Sequence, residues 1–367
     1  MSRVFTWYYS LGLLFELAST IQLQPQQRNV QWRIFKNQFG RRWEGTTRWY
    51  RPSTNKTKLW AEAVSDPLSS IYQLEFPAAE PSLGTWRGWG VIEPGDTRVV
   101  SLSEATVINR TPGSSTFQFE GVGGRCNLRN DGSYGFAAEI NFFHEDRRCG
   151  VVAYCTPQKN TDDDDDECGR IAKEWSVMLM SFRAATISHD RNVTFVQHNS
   201  ATLQPAYSIH WNNTYETDVS AEHARRRNHR YERTRCEEMR PTDYMIRPRD
   251  TSGRRTGKSS YFSSFADIVD IGEEMGKKRH GNTNEEPILT MCLPDGLWCS
   301  VPLKLNLRQA DGNDDEVVID SPQVCTQFRF SCDFTAIGGP IRSITLEYKD
   351  GSINRWICED FAQSYTC

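Results

Sequence analysis

A two-residue alternation of apolar and polar side chains, interrupted by Asp-Gly pairs, constrains this chain more than any other feature. Thr326, Phe328, Phe330, Cys332 and Phe334 share one side of an extended segment, with Gln327, Arg329, Ser331 and Asp333 on the other. Successive strand residues point to opposite faces of a sheet, so this is a strand with one dry side. Tyr134, Phe136, Ala138, Ile140 and Phe142 repeat the pattern, as do Tyr72, Leu74 and Phe76, and Ile344, Leu346 and Tyr348. Asp131-Gly132, Asp295-Gly296, Asp311-Gly312 and Asp350-Gly351 lie at or between such runs. Tight hairpins require positive φ, which explains that dipeptide. No long amphipathic helix is evident; the best short candidate, 261–275, spaces its apolar residues only partly as a helix would. Many short strands imply an all-β sandwich or barrel, and closure is the simplest way to remove exposed edges.

At 367 residues the chain can hold two units, each with its own core. The pattern places the first at 31–168 and the second at 169–367, opening with the alternation around Phe182 and Ala184. Between 216 and 287 the pattern fails, which reads as a polar, basic insertion. Residues 1–30 read as a leader or a disordered N-terminus: Ser2-Arg3 precede a mostly apolar stretch from Val4 to Leu17. That layout suits a secretory signal or the first half of a bipartite plastid leader, and is too short and interrupted for a membrane span. The formal net charge is −4, so no global field points to nucleic acid or membrane. The eleven cysteines include no Cys-x-x-Cys pair. Buried thiols in strands are the expectation. Cys149 and Cys155 would share a face, whereas Cys292 and Cys299 would lie on opposite faces of an unbroken strand.

Few residues offer chemistry. Gly253-Arg-Arg-Thr-Gly257-Lys258 imitates a phosphate-binding loop, but has three residues between its glycines where four are needed, and lacks the flanking strand and helix. The seven histidines show no metal spacing, and His189-Asp190 has no nucleophile in a strained turn beside it. The acidic block from Asp162 to Glu167 lacks the spaced ligands of a calcium loop. No catalytic residue, metal or cofactor is expected. The basic run led by Arg225, Arg226, Arg227 and Arg230 is a candidate docking surface for an acidic protein, or a solvated loop; its aromatics are too sparse for nucleic acid. Tryptophans in strands ordinarily fill cores, but small barrels can hold one ligand, so Trp43 and Trp86 are candidates for a barrel plug or a pocket wall.

Gly40-x-x-Trp43-x-Gly45 at a strand start resembles the lipocalin-like calycin barrels. Together with the Trp32 to Asn37 start, the Phe182 to Asp190 strand, the Leu293 to Pro302 hairpin and the closing Arg355 to Asp360 strand, it resembles the DUF3598 family. Phe182 and Ala184 stand where that family usually has Trp and Gly. The resemblance implies two tandem antiparallel lipocalin-like β-barrels and a non-enzymatic role. The family includes a biogenesis factor for the chloroplast ATP synthase, so the implied function is assembly of that enzyme's core in the stroma through protein-protein binding. The alternatives are a binder or lyase of a hydrophobic pigment or lipid (bilin, carotenoid or fatty acid) and a secreted glycoprotein.

Overall fold

The computed structural model describes residues 25–52, 61–90, 94–108, 110–111, 114–128, 136–158, 170–185, 230–241, 245–249, 261–262, 288–302, 305–310, 313–319, 326–349 and 352–364. A helix α1 (Pro25–Phe39) leads into the first sheet. That sheet contains β1 (Arg42–Arg51), β2 (Glu62–Ala63), β3 (Leu68–Glu75), β4 (Leu83–Trp89) and β5 (Thr97–Ser103). After a short α2 (Glu104–Val107) come β6 (Arg110–Thr111), β7 (Ser114–Phe119), β8 (Val122–Leu128), β9 (Phe136–His144), β10 (Arg147–Gln158) and β11 (Arg170–Ala184). The second sheet contains β12 (Arg230–Met239), β13 (Arg247–Pro248), β14 (Tyr261–Phe262), β15 (Ile288–Cys292) and β16 (Leu297–Pro302). Two strands, β17 (Leu305–Ala310) and β18 (Asn313–Ile319), return to the first sheet before β19 (Thr326–Asp333), β20 (Ile341–Lys349) and β21 (Ser352–Ser364) complete the second.

The first sheet runs β5-β4-β3-β1-β11-β10-β9-β8-β7-β6 and the second β13-β12-β21-β20-β19-β16-β15. All pairings are antiparallel, as the all-β reading expects. The Asp295-Gly296 turn has positive φ at both central residues, 61° and 71°, the geometry that gives a two-residue hairpin the twist of its strands. The other Asp-Gly pairs lie outside the described residues, but each falls between two strands that pair.

Alternation sorts each strand of the first sheet into two faces. Phe117 and Phe119 of β7, Phe136, Ala138 and Ile140 of β9, Val151 and Ala153 of β10, and Val177 of β11 are at most 1% exposed. They join one cluster with Phe328, Phe330, Leu346, Tyr348 and Trp356 of the second sheet. Phe136 stacks on Phe328 with centroids 4.3 Å apart, and Phe117 lies 4.2 Å from Trp356. Trp175 Nε1 donates to the Pro302 carbonyl at 3.0 Å. A core common to both sheets therefore lies between them, where the sequence pattern expects a separate core inside each unit. The physical reason is that the driest face of each sheet is the one pressed against the other.

A buried guanidinium also crosses this seam. Arg342 is 9% exposed and binds Asp360 through two parallel bonds, Nε to Oδ1 at 2.8 Å and Nη2 to Oδ2 at 3.0 Å. Its Nη1 donates to the carbonyls of Phe143 (2.6 Å) and Gly121 (3.0 Å) on the first sheet. Gly121 has φ 76°, and a Cβ there would stand 1.7 Å from that nitrogen. Only glycine can occupy the position.

Four expectations are corrected. The strand expected to open the second unit is β11, whose residues 177–184 pair with β1 and whose full length runs beside β10; its alternating residues find a dry face on the first sheet. Within 216–287, β12 is a ladder partner of β21. Its pattern was hidden because Arg233 and Arg235 meet Glu359 (2.8 Å) and Asp360 (3.1 Å) across the sheet. A fifteen-residue helix, α1, begins at Pro25, inside the expected leader. Trp32, Phe35 and Phe39 recur on one side of it, and Trp32 Nε1 donates to the Pro81 carbonyl at 2.7 Å. Cys292 and Cys299 flank a turn and do not share a strand. Cys149, Cys155, Cys236, Cys299, Cys332 and Cys358 are free thiols, and burial pushes the Cys126 and Cys358 thiols up to about 12.

Phe328→Ala should lower stability by about 3–5 kcal/mol, far more than Gln327→Ala on the exposed side of the same strand. Urea unfolding of both variants checks this; equal losses would mean that no dry seam exists at Phe328.

Candidate functional site

The other face of the first sheet encloses a cavity of about 500 Å³. Residues of β1, β3, β4, β5, β7, β8, β9, β10 and β11 line it. One space touched from nearly every strand of an open path requires a sheet that curls strongly around it. At the end of the curl α1 contributes Phe35 and Phe39, with Phe39 edge-on to Phe143 at 4.8 Å. The helix is held there by side-chain carbonyls: Gln31 Oε1 accepts from Gln118 N (2.8 Å) and Gln38 Oε1 from Gly121 N.

The wall has two chemistries. Its apolar side consists of Trp43, Tyr72, Trp86, Val100, Leu102, Met178 and Met180. Tyr72 packs between Trp86 (5.5 Å) and Phe182 (4.7 Å). Gly45, two residues after Trp43, sets the spacing of β1 and β11, since a Cβ there would lie 1.8 Å from the Ser181 carbonyl oxygen. Most of the polar side comes from β7 to β10, with Gln118, Arg125, Glu139, Asn141 and Arg148, and Arg98 of β5 and Arg41 also line the cavity. Val99, 64% exposed, and the exposed Arg41 mark where the cavity meets solvent.

Arg148, Asn141, Glu139 and Arg125 form one chain of hydrogen bonds. Arg148 Nε donates to Asn141 Oδ1 at 2.9 Å, Asn141 Nδ2 donates to Glu139 Oε1 at 3.2 Å, and Arg125 Nη2 lies 3.0 Å from Glu139 Oε2. Arg148 is 3% exposed, and its guanidinium carbon sits 5.2 Å from the Phe39 ring, 5.3 Å from Tyr72 and Phe182, and 6.0 Å from Phe143. Ring faces attract a cation strongly when water is excluded. Burial nevertheless pulls Arg148 below its ordinary value, with Glu139 and Tyr72 opposing. Burial raises Glu139, but Arg125, Arg148 and the Asn141 hydrogen bond outweigh it and hold the carboxyl below the usual range. Tyr72 is pushed up by burial. Trp43 Nε1 and Gln118 Oε1 are buried with no hydrogen-bond partner, a condition costing about 1–3 kcal/mol each.

Of the residues singled out from sequence, Trp43 and Trp86 both line this cavity. Arg225, Arg226 and Arg227 lie outside the described residues. Arg230 opens β12, opposite Ser364. Sequence reasoning missed Arg125, Glu139, Asn141 and Arg148. Glu139 and Asn141 occupy the polar positions of the β9 alternation, which read as solvent-facing. Among the described residues, no group of His, Cys, Asp and Glu could hold a metal ion, and no helix is long and apolar enough to cross a membrane.

No protein-family model and no curated protein matches the sequence. Among solved structures, the chain is similar to a crystal structure of a protein of unknown function from the DUF3598 family of Nostoc punctiforme. The TM-score is 0.50 and the identity 14%, over 91% of this chain and 99% of that one. The two share a fold.

A depressed carboxyl contributes stability above its unfolded value, about 4.3 for Glu, and that contribution is lost as pH falls through the lower folded value. The stability advantage of wild type over Glu139→Gln should therefore shrink between pH 7 and pH 3. Urea midpoints at the two pH values measure it, and a gap that widens in acid would contradict the assignment.

Proposed function

We propose that the chain is a lipocalin-like binding protein that carries a small hydrophobic molecule inside the curl of its first sheet, without catalysing a reaction on it. The supporting observation is the cavity itself. Its volume falls in the range of roughly 300–1,000 Å³ used by small-ligand sites, and it combines an aromatic and aliphatic wall with a few convergent polar groups. A fatty acid, a carotenoid or a bilin is the ligand class. Delipidated protein should bind a polarity-sensitive fluorescent lipid, and Trp86→Ala should weaken that binding about tenfold. Protein that takes up no fatty acid, carotenoid or bilin overturns the reading.

A second reading is a scaffold with two tandem barrels that helps assemble the chloroplast ATP synthase core in the stroma; the alternative placement is secreted. It draws support from the fold shared with a DUF3598 protein and from the charged outer face of the second sheet. There Glu359 bridges Arg233 (2.8 Å) and Arg329 (3.6 Å), and Arg355 bridges Glu347 and Glu238. Such charges set partner choice and association rate more than affinity. Tagged protein in a chloroplast extract should retain ATP synthase subunits at low salt and release them as salt rises. Recovery of none at low salt counts against this role.

A further inference from the structure

The charges around the cavity do not balance. Arg41, Arg98, Arg125 and Arg148 line it against one carboxylate, Glu139; Arg41 stands exposed at the mouth, Arg98 meets Asp96 at 3.5 Å, and Glu139 is already held by Arg125 at 3.0 Å. Among the described residues only the Nε of Arg148 finds a hydrogen-bond acceptor, Asn141 Oδ1. The four surrounding rings crowd the guanidinium and offer its Nη nitrogens no lone pair. A guanidinium buried in this state is costly, and an anion placed against it removes the cost. Trp43, whose Nε1 is a buried donor without a partner, lines the same space.

The size of the imbalance selects the anion. With Arg98 and Arg125 paired and Arg41 in solvent, one buried positive charge, that of Arg148, has no carboxylate of its own, so a singly charged group neutralises it. A dianion such as a phosphate monoester would leave excess negative charge beside Glu139. A neutral carotenoid would leave Arg148 as it is. A planar carboxylate matches the guanidinium fork and accepts two parallel N–H bonds. Trp43, Trp86, Met178 and Met180 supply an apolar wall of the same cavity for a tail.

On the reading of this cavity as a ligand site, we propose that the ligand is a long-chain monocarboxylate of the fatty-acid type. Its carboxylate lies against Arg148 as the missing counter-ion, and its tail runs along the Trp43–Trp86 wall. Arg148 and Glu139 together then form a charge-counting device: their sum fixes the charge of the headgroup accepted.

Calorimetric titration of the delipidated full chain at neutral pH with laurate, lauryl alcohol and lauryl phosphate tests this. Laurate should bind about tenfold more tightly than either of the others. Arg148→Gln should abolish the preference for laurate over the alcohol. Glu139→Gln, which leaves two uncompensated cations, should move the preference from laurate towards lauryl phosphate, which carries about −1.5 to −2 charge at pH 7. This second variant keeps the test alive if Arg148→Gln fails to fold, as thermal unfolding would show. Equal affinity for acid and alcohol, or a laurate preference that survives Arg148→Gln, overturns the carboxylate assignment while leaving the cavity a ligand site. Binding of none of the three overturns both.

Discussion

The stack of Phe136 on Phe328, 4.3 Å between centroids, marks the seam on which the rest of the structure depends. Each sheet alone would expose a broad apolar face, and neither could keep that face in water. Pressed together, Phe117, Phe136, Ile140, Val151 and Val177 from the first sheet and Phe328, Phe330, Leu346 and Trp356 from the second become almost wholly inaccessible. Because strand side chains alternate, committing one face of the first sheet to this seam decides what the other face can be. It cannot hold the main core, so it is free to curl around a space.

A greasy seam is weakly directional, and the Arg342 clasp supplies the direction. Its guanidinium spends two bonds on Asp360 within its own sheet and two on carbonyls of the other. Those carbonyls belong to Gly121, in the turn between β7 and β8, and Phe143, near the end of β9. Sliding one sheet over the other would strand a buried charge, at a cost of several kcal/mol. The glycine at 121 follows from this contact, since any side chain would occupy the space of the guanidinium. The clasp also fixes the neighbourhood of Phe143, whose ring closes one side of the Arg148 cage.

Strand identity was legible because period two is a local property. Phe328, Phe330 and Cys332 on one side of β19, Phe136 and Ile140 on one side of β9, and the Asp295-Gly296 turn were all readable from neighbours in the chain. Which sheet a strand joins is not local. The alternation of β11 is equally compatible with either sheet, and only the pairing of residues 177–184 with β1, more than a hundred positions earlier, settles it. The same limit hid the site. A polar residue alternating with apolar ones has one appearance whether it faces bulk water or a cavity, so Glu139 and Asn141 passed as surface. Trp43 and Trp86 stood out because an indole is rarely left exposed. The Arg148 cage was invisible because its rings come from α1, β3, β9 and β11. In β12 the Arg and Glu residues concealed a strand, since cross-strand ion pairs give no apolar period.

The arrangement separates stability from ligand chemistry by a single residue step. Ile140 belongs to the seam while Glu139 and Asn141 line the cavity; Cys149 and Val151 belong to the seam while Arg148 and Val152 line the cavity. Strain and desolvation carried by the polar network thus sit on strands already anchored from their other side. A cage that holds a guanidinium with idle donors would unfold a small barrel that relied on its interior for its core, because marginal stability leaves only a few kcal/mol in reserve. Here the seam holds the larger of the two clusters of buried apolar residues, so the interior carries the smaller share of that reserve. Headgroup-determining residues can therefore change with the ligand while the strands, their register and the contact between sheets stay as they are.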